Sequence, residues 1–185
     1  MAGGLAIVLG IGIGIFSSLG RACDLIIQLI KPIPPIAWIP LAILWFGIDE
    51  ESKIFIIFLG AFFPILINVI DGVRGTDHRL VEVAEILETS SWELIYKVIL
   101  PSSLPAVMTG LRVGLGIAWM CVVAAELIAA SQGMGYLIMD ARQLSQTDVV
   151  LTGMITIGVL GKLMDSLLKV LERRIIRWKP DYTGQ

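Results

Sequence analysis

Five ionisable side chains, Asp71, Arg112, Glu126, Lys162 and Asp165, lie within stretches that are otherwise strongly apolar. A charge removed from water is costly, so such residues form ion pairs or line a polar path through a bilayer. Lys162 and Asp165 are three apart on one helix face, which favours a pair between them, with Lys162 snorkelling toward the nearer water layer. Asp71 and Arg112 fall near the ends of adjacent apolar runs, where an interfacial position also accounts for them. Glu126 is deeper, on the same run as Trp119 and Met120. Arg112 and Glu126 are thus candidates for a polar path, and so is Asn68, because the neighbouring Pro64 breaks a helix and frees backbone polar groups.

Other chemistries lack their residues. No nucleophile, base and oxyanion donor recur at a recognisable spacing, and Ser17-Ser18 and Ser102-Ser103 fit interfaces and helix caps. A phosphate-binding loop needs G-x-x-x-x-G-K-[ST], but Gly161-Lys162 precedes Leu163 and Thr156 occupies the first glycine's place. This chain therefore cannot hydrolyse ATP by that device, and no cofactor of its own is expected. Gly10-x-Gly12-x-Gly14 is no dinucleotide fingerprint, since the third glycine is misplaced. His78 is the only histidine, and Cys23 and Cys121 are far apart, so both cysteines read as packing residues and no metal site is expected. No basic face suggests nucleic acid.

The elements that position these residues are membrane spans. Of 185 residues, 56% are hydrophobic and 16% charged, outside the balance of soluble domains. The first eighteen residues lack the charged start of a signal peptide and read as structure. Five spans fit the sequence, at about 3–20, 33–48, 54–73, 107–130 and 149–170, each near the ~20 residues that cross a bilayer. The fold class is all-α, a polytopic membrane helix bundle forming one transmembrane domain over 1–185. Pro34, Pro35 and Pro40 place a helix start or kink at the second span, which must then lie within the bundle. Ala6, Gly10 and Gly14 recur every four residues and predict close packing of the first. Eleven of the fourteen Lys and Arg residues fall on the side of the 77–101 loop and the C-terminus, and Lys53 and Arg142 fall on the other. The positive-inside rule then puts that loop and the C-terminus in the cytoplasm and the N-terminus outside.

The 77–101 loop is the one long polar interruption. Leu80, Val83, Ala84 and Leu87, then Trp92, Ile95, Tyr96 and Ile99, follow helical spacing and predict two short amphipathic helices. Asp77 can cap the first, and Ser90 with Glu93 forms a capping box for the second. Pro101 and Pro105 are expected to stop or bend the chain as it leaves the second helix. The loop's charges are mainly acidic, the wrong sign for anionic lipid, so a protein partner is expected on its apolar face.

Glu82-Val83-Ala84 with Leu100-Pro101 resembles the EAA loop of bacterial ABC-importer permeases, whose pattern is EAA, three residues, Gly, nine residues, then I-x-L-P. In this alignment Val83 stands at the second position, Glu88 at the glycine and Val98 at the isoleucine. The glycine is the main departure, because Glu88 adopts positive φ less cheaply and a differently shaped turn is expected. Pro34-Pro35, Gly60-Ala61-Phe62-Phe63-Pro64, Thr109-Gly110-Leu111-Arg112, Val123-Ala124-Ala125-Glu126, Gly135-Tyr136-Leu137 and Thr147-Asp148-Val149-Val150 extend the resemblance to the nitrate, taurine and sulfonate branch. Arg142 to Val150 and Arg177-Trp178-Lys179-Pro180 are most like its sulfonate members.

The resemblance implies a permease subunit of a bacterial plasma (inner) membrane importer that forms the path for a small oxyanion such as an aliphatic sulfonate, taurine or nitrate. It implies a separate ABC ATPase carrying ATP and Mg, coupled through Glu82, Val83, Ala84, Glu88, Val98, Leu100 and Pro101. It further implies a second permease copy, as a homodimer, and an extracytoplasmic substrate-binding protein, for which the 131–148 segment is a docking candidate or a plain external loop. The family usually has an additional N-terminal span, so the chain is expected to begin partway through its natural frame. The tail, 172–185, reads as an interfacial anchor. Two other classes remain open: an ATP-independent secondary transporter or channel, and a membrane scaffold recruiting a soluble partner. The scarcity of clustered membrane carboxylates argues against the first.

Overall fold

The computed structural model describes residues 1–48, 50–130 and 132–176, and among them every regular element is a helix. They are α1 (Ala2–Ile15), α2 (Ser17–Ile30), α3 (Ile39–Phe46), α4 (Glu50–Arg74), α5 (His78–Ile86), α6 (Ser91–Leu94), α7 (Leu100–Ala129), α8 (Met134–Gln143) and α9 (Thr147–Ile175). The tail from 177, with the Arg177-Trp178-Lys179-Pro180 ending, lies outside the described residues.

The bundle is built on α4, which packs in parallel with α1 on one side and antiparallel to α7 on the other. The small-residue repeat explains the first contact. A Cβ on Gly10 would stand 2.7 Å from a Val69 methyl, and one on Gly14 would stand 2.7 Å from Val73, so only glycine allows the two backbones this close. Ala6, Ile13, Ile65, Leu66, Val69, Ile70 and Val73 form the resulting core. A second core joins α3, α4 and α7 through Ile39, Ala42, Ile56 and Cys121, where the thiol acts as a small apolar group.

Two described helices are long and apolar enough to cross a membrane, α4 and the continuous Ser91–Ile128. A third crossing arises if Gly20–Ile30 and Pro35–Phe46 count as one span broken by 80°. Helix α1 has 14 residues and α9 has 29. The stretch expected to be one span over 3–20 is divided, because Phe16 takes an extended conformation between α1 and α2. The segment after it is helical as well: Arg21, Asp24 and Gln28 mark one face of α2, and the exposed Leu25, Ile26 and Leu29 mark another.

Pro101 and Pro105 do not end the loop's second helix. The Leu100 N–H bonds to the Ile95 carbonyl, giving a π turn over Ile95–Ile99 that leads directly into α7. Pro101 directly follows this π turn, and the helix runs on through it.

Candidate functional site

The loop between α4 and α7 is held at its base and exposed at its tip. Thr76 and Ser102 hydroxyls lie 3.2 Å apart, tying the end of α4 to the start of α7. Ser103, almost fully buried, donates to the Leu100 carbonyl at 3.0 Å. Beyond this base, Asp77 accepts from the Arg79 N–H at 3.0 Å and starts α5. The Ser90 hydroxyl accepts from the Glu93 N–H at 3.3 Å, while the Glu93 carboxylate accepts from the Ser90 N–H at 3.4 Å, so both halves of the capping box form. Lys97 bonds the same carboxylate at 2.7 Å. That ammonium, and then the Ser90 N–H, hold Glu93 below the ordinary carboxylate range.

Between the helices, Glu88 does take positive φ, at 51°. The Thr89 N–H bonds the Ala84 carbonyl at 3.1 Å, the long-range bond of a Schellman cap, and the Thr89 hydroxyl donates to the same oxygen. These bonds offset the strain of a non-glycine residue in the left-handed region. Glu88 thus takes the left-handed conformation that glycine adopts most cheaply.

The two helices leave an uncovered apolar face. Val83 is 54% exposed, Ile86 79% and Trp92 81%, with Leu80, Leu87 and Tyr96 also exposed. Ala84 departs from its expected place on that face, since it is 5% exposed and turned inward. Glu82 lies on the surface, 3.4 Å from His78. Val98 and Leu100 are half-buried in the π turn and the start of α7, and Pro101 follows them. The seven motif residues therefore divide between a tip (Glu82, Val83, Ala84, Glu88) and a stem (Val98, Leu100, Pro101).

Asn68, Arg112 and Glu126 are not brought together. Asn68 donates to the Pro64 carbonyl at 2.8 Å and lines a cavity of about 330 Å³ between the broken span, α4 and α7. Arg112 is committed to α9: its Nε and one terminal nitrogen each lie 3.0 Å from Asp165, and the other reaches Glu172 at 3.5 Å. Asp165 also approaches Lys169 at 3.6 Å. Its close partners are therefore Arg112 and Lys169, rather than Lys162 as the spacing predicts. Two guanidinium nitrogens converge on one Asp165 oxygen, Oδ1, across two helices, and such charge-assisted bonds are stronger than neutral ones.

Glu126 lies at the opposite end of α7 and accepts the Gly135 N–H at 2.8 Å, which ties α7 to the start of α8. Gly133 has φ +121°, and a Cβ there would meet the Glu126 carboxylate at 2.5 Å, so the contact depends on glycine. Glu126 also lines a cavity of about 400 Å³ with Glu50, Lys53 and Gln132.

Sequence reasoning missed Lys31, Trp38 and Phe63 as cavity-lining residues. Their signal was the proline cluster Pro32, Pro34 and Pro35, which marks a break rather than the entrance of an intact span.

A family profile described as "Binding-protein-dependent transport system inner membrane component" matches residues 5–177. The chain is 47% identical over 184 residues to the "Putative aliphatic sulfonates transport permease protein" of Bacillus subtilis, covering 100% of this chain and 67% of that one. It is 40% identical over 172 residues to the taurine transport system permease protein of Escherichia coli, covering 93% and 62%. It is 36% identical over 178 residues to the bicarbonate transport system permease protein of Synechococcus elongatus, covering 94% and 64%. The chain thus spans about two thirds of the length of these relatives, all of which are named as transport permeases rather than enzymes. A family-wide match over nearly the whole chain, on a helical bundle carrying an exposed loop at the EAA position, makes this protein a member of the ABC permease family of binding-protein-dependent transport system inner membrane components, on the side of the family that includes sulfonate permeases.

Proposed function

We propose that the chain is the translocation subunit of an ATP-driven importer for a small oxyanion such as an aliphatic sulfonate, taurine or nitrate, and that it engages a separate ATPase through the 77–101 loop. The observation that carries this reading is the apolar face on a fully capped helix pair, with Val83, Ile86 and Trp92 exposed. A rigid apolar tip between two spans matches a helix seated in a groove of a soluble partner. ATP and Mg reside on that partner, since this chain carries no phosphate-binding loop.

Two ATPase subunits need two loops, so two copies of the chain form a symmetric dimer with the path between them. The asymmetry of Lys and Arg supports a multi-pass bacterial inner membrane protein with its N-terminus outside and the loop and C-terminus in the cytoplasm. The five expected spans then overlap α1, the Pro35–Phe46 arm, α4, α7 and α9. Helix α8, with its exposed Tyr136 and Leu137 and the Leu144 that follows it, faces outward, toward a substrate-binding protein.

Co-purification from nanodiscs with candidate P-loop ATPases tests the reading. Val83→Asp places a charge on the exposed face and should abolish capture while leaving thermal unfolding of the permease unchanged. Capture that ignores the substitution, or no capture by the wild type, would sink the coupling role. Ala84→Asp is a poorer probe, because Ala84 is buried and a charge there would disrupt the loop itself.

A further inference from the structure

The cavity beside Asn68 opens between residues 59–68 of α4 and 113–117 of α7, where Val113 is 44% exposed. Its remaining wall is the elbow of the broken span, contributing Lys31 and Trp38. Irregular backbone at membrane depth is tolerated where it borders a cavity, and substrates meet transporters at such breaks. The lining is chemically lopsided. Lys31 is its only charged residue and Asn68 its only amide, while Trp38, Phe63, Val113 and Ile117 are apolar. No ion pair among the described residues occupies Lys31. Asn68 uses one amide hydrogen on the Pro64 carbonyl, which leaves the second for a bound group. Arg112, the other nearby cation, is held by Asp165 and Glu172.

We propose that this cavity is a tail-selective subsite for a small organic anion carrying a short alkyl chain. The anionic head sits at Lys31 and Asn68, and the chain lies against Trp38, Phe63 and Ile117. A bare, strongly hydrated oxyanion would lose water for two polar contacts. An alkyl chain offsets that loss by burying apolar surface. The volume of about 330 Å³ is at the small end of ligand sites and suits a short chain, not the paired chains of a phospholipid. This inference rests on the importer reading and adds that the membrane subunit itself discriminates by chain length.

Calorimetric titration of the full chain in phosphatidylcholine nanodiscs tests it, with ethanesulfonate, propanesulfonate, butanesulfonate, sulfate, nitrate and butanol as probes. Affinity should rise about fourfold per added methylene, and sulfate and nitrate should bind roughly tenfold or more weakly than butanesulfonate. Lys31→Gln, on the surface of the elbow, should weaken butanesulfonate about five- to tenfold and leave butanol unchanged. Absent binding, affinity independent of chain length, or a Lys31→Gln effect equal for butanol and butanesulfonate would overturn the subsite. So would full displacement of butanesulfonate by phosphatidylglycerol in the nanodisc, which would assign the cavity to lipid. ATPase capture through Val83 is read separately, so its failure removes the importer reading, whereas failed titration with intact capture removes only the subsite.

Discussion

Glu88 and Gly133 show how backbone conformation decides what a residue contributes. Glu88 occupies the left-handed region at a helix end, where a non-glycine residue costs roughly 1 kcal/mol. Glu88→Gly should relieve that cost and slow amide hydrogen exchange across 84–95; faster exchange would show that the Glu88 side chain itself stabilises the turn. Gly133 combines φ +121° with a carboxylate 2.5 Å from any added Cβ. Gly133→Ala should therefore destabilise the α7–α8 junction by about 1–3 kcal/mol, seen as a lowered Tm, and an unchanged Tm would contradict the packing described. Glu93 supplies a pH signature. Its folded-state pKa is depressed, first by Lys97 and then by Ser90, so its stabilising effect is present above the ordinary glutamate value and is lost as pH falls through the lower folded value. Acidification below the ordinary glutamate range should loosen the start of α6, read from the Ser90 and Glu93 amide shifts. In Glu93→Gln that titration should disappear.

At the scale of elements, the loop is joined asymmetrically to the spans it connects. The π turn makes Ser91–Ile128 one continuous helix, whereas α4 ends at Arg74 before a bend at Gly75 and Thr76. A force on the tip at Trp92 is therefore carried into α7 more directly than into α4. From α7 it passes to α9 through Arg112. Arg112→Met should lower the Tm by leaving Glu172 without this cation and Asp165 with only Lys169. Adding Asp165→Leu and Glu172→Leu should recover most of that loss. If the single and triple variants unfold alike, the fork contributes no stability.

Local signals in the loop were legible because capping is local: Asp77, Ser90 and Glu93 announce their roles within three residues. Ala84's inward turn was not, since helical spacing gives a face but not which edge of it meets the stem. Arg112 was equally opaque, because its partners lie on α9, more than fifty residues away, and the i, i+3 pattern of Lys162 and Asp165 pointed to a nearer but weaker pairing.

For the whole molecule, apolar composition and the Gly10–Gly14 repeat made an all-helical bundle with a tight α1–α4 contact readable from the chain. The break at Phe16 was hidden because Ser17-Ser18 suit an interface as well as a new helix start, and the 80° elbow was hidden by prolines that suit a helix start as well as a helix break. Both breaks depend on what packs against them, which one-dimensional periodicity does not carry. The resulting object is a bundle with a cavity beside the elbow and an uncovered loop at one end. Its central claim is that this loop is the seat of an ATPase.

Site-specific photo-crosslinking from Trp92, replaced by a photoreactive phenylalanine in living cells and followed by mass spectrometry of the adduct, tests that claim most directly. The account predicts an adduct to a protein bearing a Walker A sequence, lost when Val83→Asp is added. Adducts to lipid alone, or to a soluble protein without that sequence, would contradict it.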